Sequence, residues 1–433
     1  MPPTHARWRG ATVPGSALPL LPGRTVGTAS AGPVDAPTAE ETENRVGTWA
    51  SVPTATPPTA TPMLHDQTVR QVVHTSLGGD RLRLRLTNEF GTAPLQIGEV
   101  HVALRSGTTG TDIDPSTDHT VTFGGNTSVT IPAGAPMISD PVSLAPPARA
   151  DLVVSIHVPD ETPVTTLHAF SYQENEVASG NVTGDRSIEA TETLTQWYFL
   201  SGVSVRARTR IADAVVALGD SITDGSETEV NADNRWPDLL AERLGHTGVL
   251  NSGVAGNRLL HDPNPPAGSE AEGYAAFFGQ SALRRFDRDV LAHPGVGHVI
   301  VLLGVNDLGH PGTTAPISET VTVEEIIGAH RRLIARSHAA GLRIHGGTLL
   351  PFGGDALGFF TEENEAKRQA VNAWIRTSGE YDTVIDFDAA LRDPKDPSRL
   401  RSDYDSGDGL HPNDAGMAAM ADVVPTRLFR PDV

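Results

Sequence analysis

Four short segments hold the residue types that acyl transfer to a serine requires. Gly219-Asp220-Ser221-Ile222-Thr223-Asp224-Gly225 puts a serine where an apolar run ends. A hydroxyl is a poor nucleophile at neutral pH and needs a base that titrates nearby, which is the property of histidine. Ser406-Gly407-Asp408-Gly409-Leu410-His411-Pro412-Asn413 supplies that base at His411. Asp408, shortly before it, is spaced to hold one imidazole nitrogen and stabilise the imidazolium while the other nitrogen faces the serine. Asn251-Ser252-Gly253-Val254-Ala255-Gly256-Asn257 and Leu303-Gly304-Val305-Asn306-Asp307 offer donors: the unobstructed amide N–H of Gly256 and the side-chain amide of Asn306. Such donors stabilise the oxyanion of a tetrahedral intermediate, each by about 3 to 4 kcal/mol. Any one segment by itself reads as a turn or a cap. All four, in this order and at the same end of one sheet, make a site.

In that order the blocks resemble the SGNH (GDSL) hydrolases. Gly219-Asp220-Ser221-Ile222 is similar to the GDSL block with Ile for Leu, Gly256 to the second-block glycine, Gly304-Val305-Asn306-Asp307 to Gly-x-Asn-Asp, and Asp408-Gly409-Leu410-His411 to Asp-x-x-His. The resemblance spans residues 211–430, about half the chain. It implies a catalytic triad of Ser221, Asp408 and His411. It also implies an oxyanion hole of the Ser221 N–H, the Gly256 N–H and the Asn306 side chain. Upstream, Arg81-Leu82-Arg83-Leu84-Arg85-Leu86-Thr87-Asn88-Glu89-Phe90-Gly91 and Trp197-Tyr198-Phe199-Leu200-Ser201-Gly202 resemble secreted bacterial GDSL proteins that carry an extra β-domain before the hydrolase.

The elements that must position these residues are legible as a change of period. Up to about residue 207 apolar residues alternate, clearest at Arg81-Leu82-Arg83-Leu84-Arg85-Leu86, which predicts half-buried strands. Further strands are expected over 95–104, 120–123, 128–132, 152–158, 164–172 and 197–205. With Gly and Pro turns between them they form an all-β sandwich or jelly roll over 45–207. No fixed-period repeat points to a propeller or solenoid. From 211 to 430 apolar runs at 214–218, 248–251, 298–303, 343–350 and 384–387 alternate with helical segments. This is the pattern of an α/β domain: a parallel five-stranded sheet in an α/β/α (flavodoxin-like) three-layer arrangement. Thr322-Val323-Glu324-Glu325 is a capping box and Gly341 a C-terminal stop. A second helix runs from Thr361 toward Gly379 with Ala370, Val371, Trp374 and Ile375 facing the core, and Pro412 opens a last one. Open sheets of this kind collect function beyond the carboxyl ends of their strands.

A net charge of −20 speaks against a nucleic-acid partner, which needs clustered Lys and Arg. The absence of cysteine removes disulfides, thiolate nucleophiles and Cys-bound zinc. No apolar run of about 18 residues exists to form a transmembrane helix. Residues 1–44 read as a leader with the order of a degenerate signal peptide, basic then weakly apolar then small, or as a disordered segment. With the upstream resemblance, secretion is expected.

No metal or cofactor is expected. Asp403-Tyr404-Asp405-Ser406-Gly407-Asp408 starts like a calcium loop, but its glycine is misplaced and Asp414 stands where a closing Glu is required. His293, His298, His310 and His330 form no metal-spaced pair and suit surface or packing roles. Phe352, Phe359 and Phe360 either line an acyl pocket or lid, or simply pack. The expected partner is a small-molecule or polysaccharide ester, with short acyl or acetyl groups favoured; oligomeric state is not readable. Longer-chain lipase or phospholipase activity stays open, as does a non-catalytic glycan-binding protein.

Overall fold

A computed structural model describes residues 44–429, which pack as one compact unit. The leader read at 1–44 lies, but for its last residue, outside the described residues.

In the alternating run Leu82, Leu84 and Leu86 are buried while the arginines between them stay at least partly open, and the strand is Leu82–Thr87. It sits in a four-stranded antiparallel sheet in the order Arg45–Ala50, Leu200–Arg206, Leu82–Thr87, Pro136–Ile138. A six-stranded antiparallel sheet runs Glu192–Leu194, Asn175–Ser179, Gln67–His74, Asp151–Val158, Glu99–Leu104, His119–Thr120. The architecture is that of a β-sandwich.

Several expected strands are shorter or broken. The 95–104 run splits because its two parts pair with different partners, Leu95–Ile97 with Val129–Ile131 and Glu99–Leu104 with Asp151–Val158. The 197–205 run breaks at Phe199, whose φ of 57° turns the chain from one sheet into another. The 120–123 run contributes only His119–Thr120, and the 164–172 run only Thr166–His168. Gln67–His74, absent from the alternation reading, is buried on both faces: Thr68, Arg70 and Gln71 are as enclosed as Val69 and Val72. A strand covered on both sides shows no alternation to detect.

All five expected parallel strands form, as Asp213–Gly219, Thr247–Ser252, Val296–Leu302, Arg343–Gly347 and Thr383–Ile385. Their spatial order places the second outside the first and the third on its other side, followed by the fourth and fifth. The direction of winding therefore reverses between the first and third strands, where a crevice opens at the carboxyl ends. The capping box is present, with Thr322 and Glu325 exchanging hydrogen bonds at the start of Val323–Ala339. Two details differ from the pattern reading. Ala370 is exposed, and helix Glu362–Thr377 instead buries Glu365 and Arg368 beside Val371 and Ile375 because Arg368 pairs with both Glu365 and Asp388. The last helix, Asp414–Val423, is capped by the Asn413 side chain, so Pro412 precedes the cap.

One hydrophobic core runs through both the β-rich and the α/β segments. At the join Gly248 lies so close to the next backbone that a Cβ there would stand 2.0 Å from the Gly47 carbonyl oxygen. The edge strand of the parallel sheet is covered here, since Ser76 Oγ bonds both the N–H and the carbonyl of Val249 at 2.8 and 3.2 Å.

Candidate active site

Strand Asp213–Gly219 ends at Asp220, whose carboxylate accepts the Ile222 N–H and starts the short helix Ser221–Asp224. This turn presents the Ser221 hydroxyl at the crevice. His411 Nε2 lies 2.8 Å from Ser221 Oγ, and His411 Nδ1 lies 2.5 Å from Asp408 Oδ2. The carboxylate only accepts, so Nδ1 carries the proton and Nε2 is left to accept from the serine. Asp408 Oδ1 also takes the N–H groups of Leu410 and His411, both at 2.8 Å. Burial pushes Asp408 up, but the His411 bond and charge and these N–H groups outweigh it, so its carboxyl lies well below the usual carboxylate range.

Gly256 and Asn306 line the same crevice as Ser221. Gly256 has a φ of 74°, and a Cβ there would stand 2.2 Å from the Phe278 ring, so the position is fitted to glycine. Asn306, in the helix after the third strand, gives one amide hydrogen to the Asn257 carbonyl at 3.0 Å and lines the crevice. Its neighbour Asp307 accepts the N–H groups of Leu259 and Leu260 at 2.7 and 2.9 Å, pinning the loop that carries Gly256. Arg285 ties the first two blocks together, reaching the carbonyls of Gly219 and Ser252 and the side chain of Asn257 at 2.9 to 3.0 Å. Its burial lowers its pKa to about 10, against the pull of Asp289.

The family model described as GDSL-like Lipase/Acylhydrolase matches residues 217–419. Residues 217–419 form a GDSL-like lipase/acylhydrolase domain. The GDSL assignment makes the chain a serine ester hydrolase. No curated protein matches the chain. Solved structures similar to it include a lipolytic protein assigned to the G-D-S-L family from Desulfitobacterium hafniense, at 21% identity, 48% of this chain, 96% of that one and a TM-score of 0.34. A GDSL-like lipase from Bacteroides thetaiotaomicron stands at 18% identity, 49% and 85% coverage and 0.35. A carbohydrate acetylesterase from Sinorhizobium meliloti stands at 14%, 50% and 96%, and 0.36.

The GDSL half does not enclose the site alone. Ser221, His411, Gly256 and Asn306 line a cavity of about 510 Å³ whose wall includes Phe170 and Tyr172 from the β-rich segment. Tyr274, Phe278, Leu357 and Phe359 add apolar surface, and Ser226, Glu227, Thr313 and Thr314 add polar groups. Of the three phenylalanines after the fourth strand, only Phe359 reaches the cavity; Phe352 is fully buried and Phe360 packs against it. A larger cleft of about 770 Å³, lined by Pro57, Pro58, Phe90 and Asp262 among others, holds none of the four-block residues.

The histidines set aside as surface or packing groups are all buried. His310 in fact lines the GDSL cavity between the Phe278 and Phe359 rings, where burial and Arg258 lower its pKa to about 3 and keep it neutral. Asp220, next to the serine, is pushed up to about 7 by burial, against the Ile222 N–H and the charge of His411. Alternation and block spacing could not reveal Tyr172, Phe170 or Arg285, because each acts through contacts between distant segments. Away from the site His74 lies 2.7 Å from Asp151 and 3.4 Å from Asp233, and Arg105 holds the other oxygen of Asp151. No helix among the described residues is long and apolar enough to cross a membrane.

Proposed function

We propose that the chain hydrolyses carboxylic esters through an acyl-enzyme on Ser221, with His411 as base and Asp408 as its orienting carboxylate. The observation that carries this reading is the unbroken line from Asp408 through His411 to Ser221 Oγ at 2.5 and 2.8 Å. Ser221 Oγ attacks the acyl carbon as its proton passes to His411 Nε2. The carbonyl oxygen, now negative, takes hydrogen bonds from the Ser221 and Gly256 N–H groups and the Asn306 amide. The C–O bond to the alcohol breaks, His411 returns the proton to the leaving oxygen, and the acyl group stays on Ser221. His411 then takes a proton from water as it attacks, and the acid leaves with Ser221 restored. These steps need no metal or organic cofactor.

The substrate class we favour is a short-chain or acetyl ester of a ring-bearing alcohol, carbohydrate or aryl. Aromatic walls at Phe170, Tyr172, Tyr274 and Phe278 with hydroxyl and carboxylate groups between them suit the faces and edges of such a ring. A second reading, a lipase on longer acyl chains, is favoured by three large apolar residues exposed around the same cavity, Phe170, Tyr274 and Leu357. Secretion remains part of the proposal, on the leader and the upstream resemblance.

Hydrolysis of p-nitrophenyl acetate, butyrate and laurate and of an acetylated sugar, by wild type and Ser221→Ala, tests both levels. Turnover falling with acyl length and lost in the variant supports the first reading. Turnover rising steadily toward laurate replaces it with the second, and equal turnover in the variant removes Ser221 from the reaction.

A further inference from the structure

His168 belongs to the β-rich strand Thr166–His168, yet its imidazole reaches the nucleophile helix. Its Nδ1 lies 2.9 Å from the Val52 carbonyl oxygen and its Nε2 2.9 Å from Asp224 Oδ1. Asp224 is the last residue of the helix Ser221–Asp224, and its other oxygen, Oδ2, accepts the Ala255 N–H at 2.9 Å. The next N–H along the chain is that of Gly256. One carboxylate thus ties the helix that presents Ser221 to the loop that presents an oxyanion donor, and His168 holds that carboxylate from the β-rich side.

The chemistry of the partners bears on the proton count. The Val52 carbonyl can only accept, so Nδ1 donates. Burial opposes a charge on the ring, but the Asp224 charge and these two bonds outweigh it and hold His168 above the ordinary histidine range, which favours the imidazolium. His168 and Asp224 are 3% and 2% exposed, so the two charges neutralise each other in a nearly dry setting. Removing either one would leave a lone buried charge that must shift its surroundings or take up water. Trp197 covers the His168 ring at 5.5 Å, with the Arg235 guanidinium 5.2 Å from the Trp197 ring, so the imidazole has little freedom to turn away.

We propose that His168 is a positioning residue for the hydrolase site, acting through Asp224 to set the distance between the Ser221 hydroxyl and the Gly256 N–H. The β-rich segment is then a working part of the active site rather than an appendage. This inference rests on the reading of Ser221 as nucleophile and Gly256 as donor. An oxyanion donor matters most when the transition state is reached, and a shift of about 1 Å costs on the order of 100-fold in rate. Its loss lowers kcat and leaves KM nearly alone.

The test uses the full chain as wild type, His168→Gln, Asp224→Asn and the double variant, each active-site-titrated with a fluorophosphonate so that misfolded protein is not counted. The inference predicts kcat on p-nitrophenyl acetate down roughly 10- to 100-fold in each single variant, KM within about threefold, and a double variant no slower than the slower single, because both break one line. Val154→Ala, which thins the β-rich core away from the line, lowers the melting temperature and leaves kcat per titrated site unchanged. Unchanged kcat per titrated site in His168→Gln overturns the inference while leaving the nucleophile intact. If His168→Gln does not accumulate as folded protein, Asp224→Asn answers the same question from the other end. A wild type that takes no label on Ser221 removes the nucleophile reading, and this inference falls with it.

Discussion

Asn306 gives one of its two amide hydrogens to the carbonyl of Asn257, the residue directly after Gly256. The two residues proposed as oxyanion donors are therefore tethered through one hydrogen bond, although they follow different strands of the sheet. Preorganisation of this kind is what makes such donors effective, since no reorientation is needed as charge develops.

Replacing Asn306 by alanine removes a donor and also the tether on the Gly256 loop. Turnover of a small soluble ester is expected to fall by about 100- to 1000-fold with KM nearly unchanged. Steady-state kinetics check this; a rise in KM at constant kcat would instead assign Asn306 to substrate binding.

The two rings that the β-rich segment lends to the cavity, Phe170 and Tyr172, bear on specificity rather than on the acyl-transfer steps. Alanine at either position is expected to lower kcat/KM for an aryl or sugar ester severalfold more than for ethyl acetate. Equal losses on both substrates would show that these rings do not contact the alcohol group.

Asp220 carries a pH signature. Its pKa in the folded chain is pushed up to about 7 by burial, well above the ordinary carboxylate value near 3.8. Between those two values the folded state holds a proton that the unfolded state has lost, so this group's contribution to stability declines as pH rises from about 4 to 7. Asparagine keeps the acceptor for the Ile222 N–H and cannot ionise. Asp220→Asn should therefore gain melting temperature relative to wild type as pH rises through this window. A difference that is flat in pH would contradict the assignment.

His74 loses its contribution in the same direction, in a higher pH window. Burial opposes its charge, but Asp151, Asp233 and Asp238 overcome it and raise it to about 9. Its contribution is complete below the ordinary histidine value near 6.5 and is lost as pH rises through about 9. His74→Gln should cost more thermal stability at pH 6 than at pH 10, by scanning calorimetry at both values.

The parallel sheet was fully legible in the sequence because each strand is one apolar run bounded by helix signals, and all five appear where the runs lie. Three of the four blocks were legible for a related reason: they lie at the ends of strands Asp213–Gly219, Thr247–Ser252 and Val296–Leu302, while the fourth was legible from its Asp-x-x-His spacing just before the last helix. Sequence reading failed where a strand is buried on both faces, as at Gln67–His74, or changes sheets within a few residues, as at Phe199. It also missed the polar faces of helix Glu362–Thr377, because Arg368 looks solvent-exposed until Asp388 is brought against it. The contribution of His168, Phe170 and Tyr172 to the site was invisible for the same reason: nothing local in the β-rich segment reports on a neighbour more than 50 positions away.

The central claim is that Ser221 becomes acylated. The most direct measurement is mass spectrometry of the chain after reaction with a fluorophosphonate, followed by peptide mapping, on wild type and His411→Ala. The account predicts one adduct per chain, located on Ser221, and labelling slowed by at least 100-fold when the base is removed, in line with the loss of a positioned proton acceptor. An adduct on another residue, or labelling at Ser221 that is indifferent to His411, would contradict it.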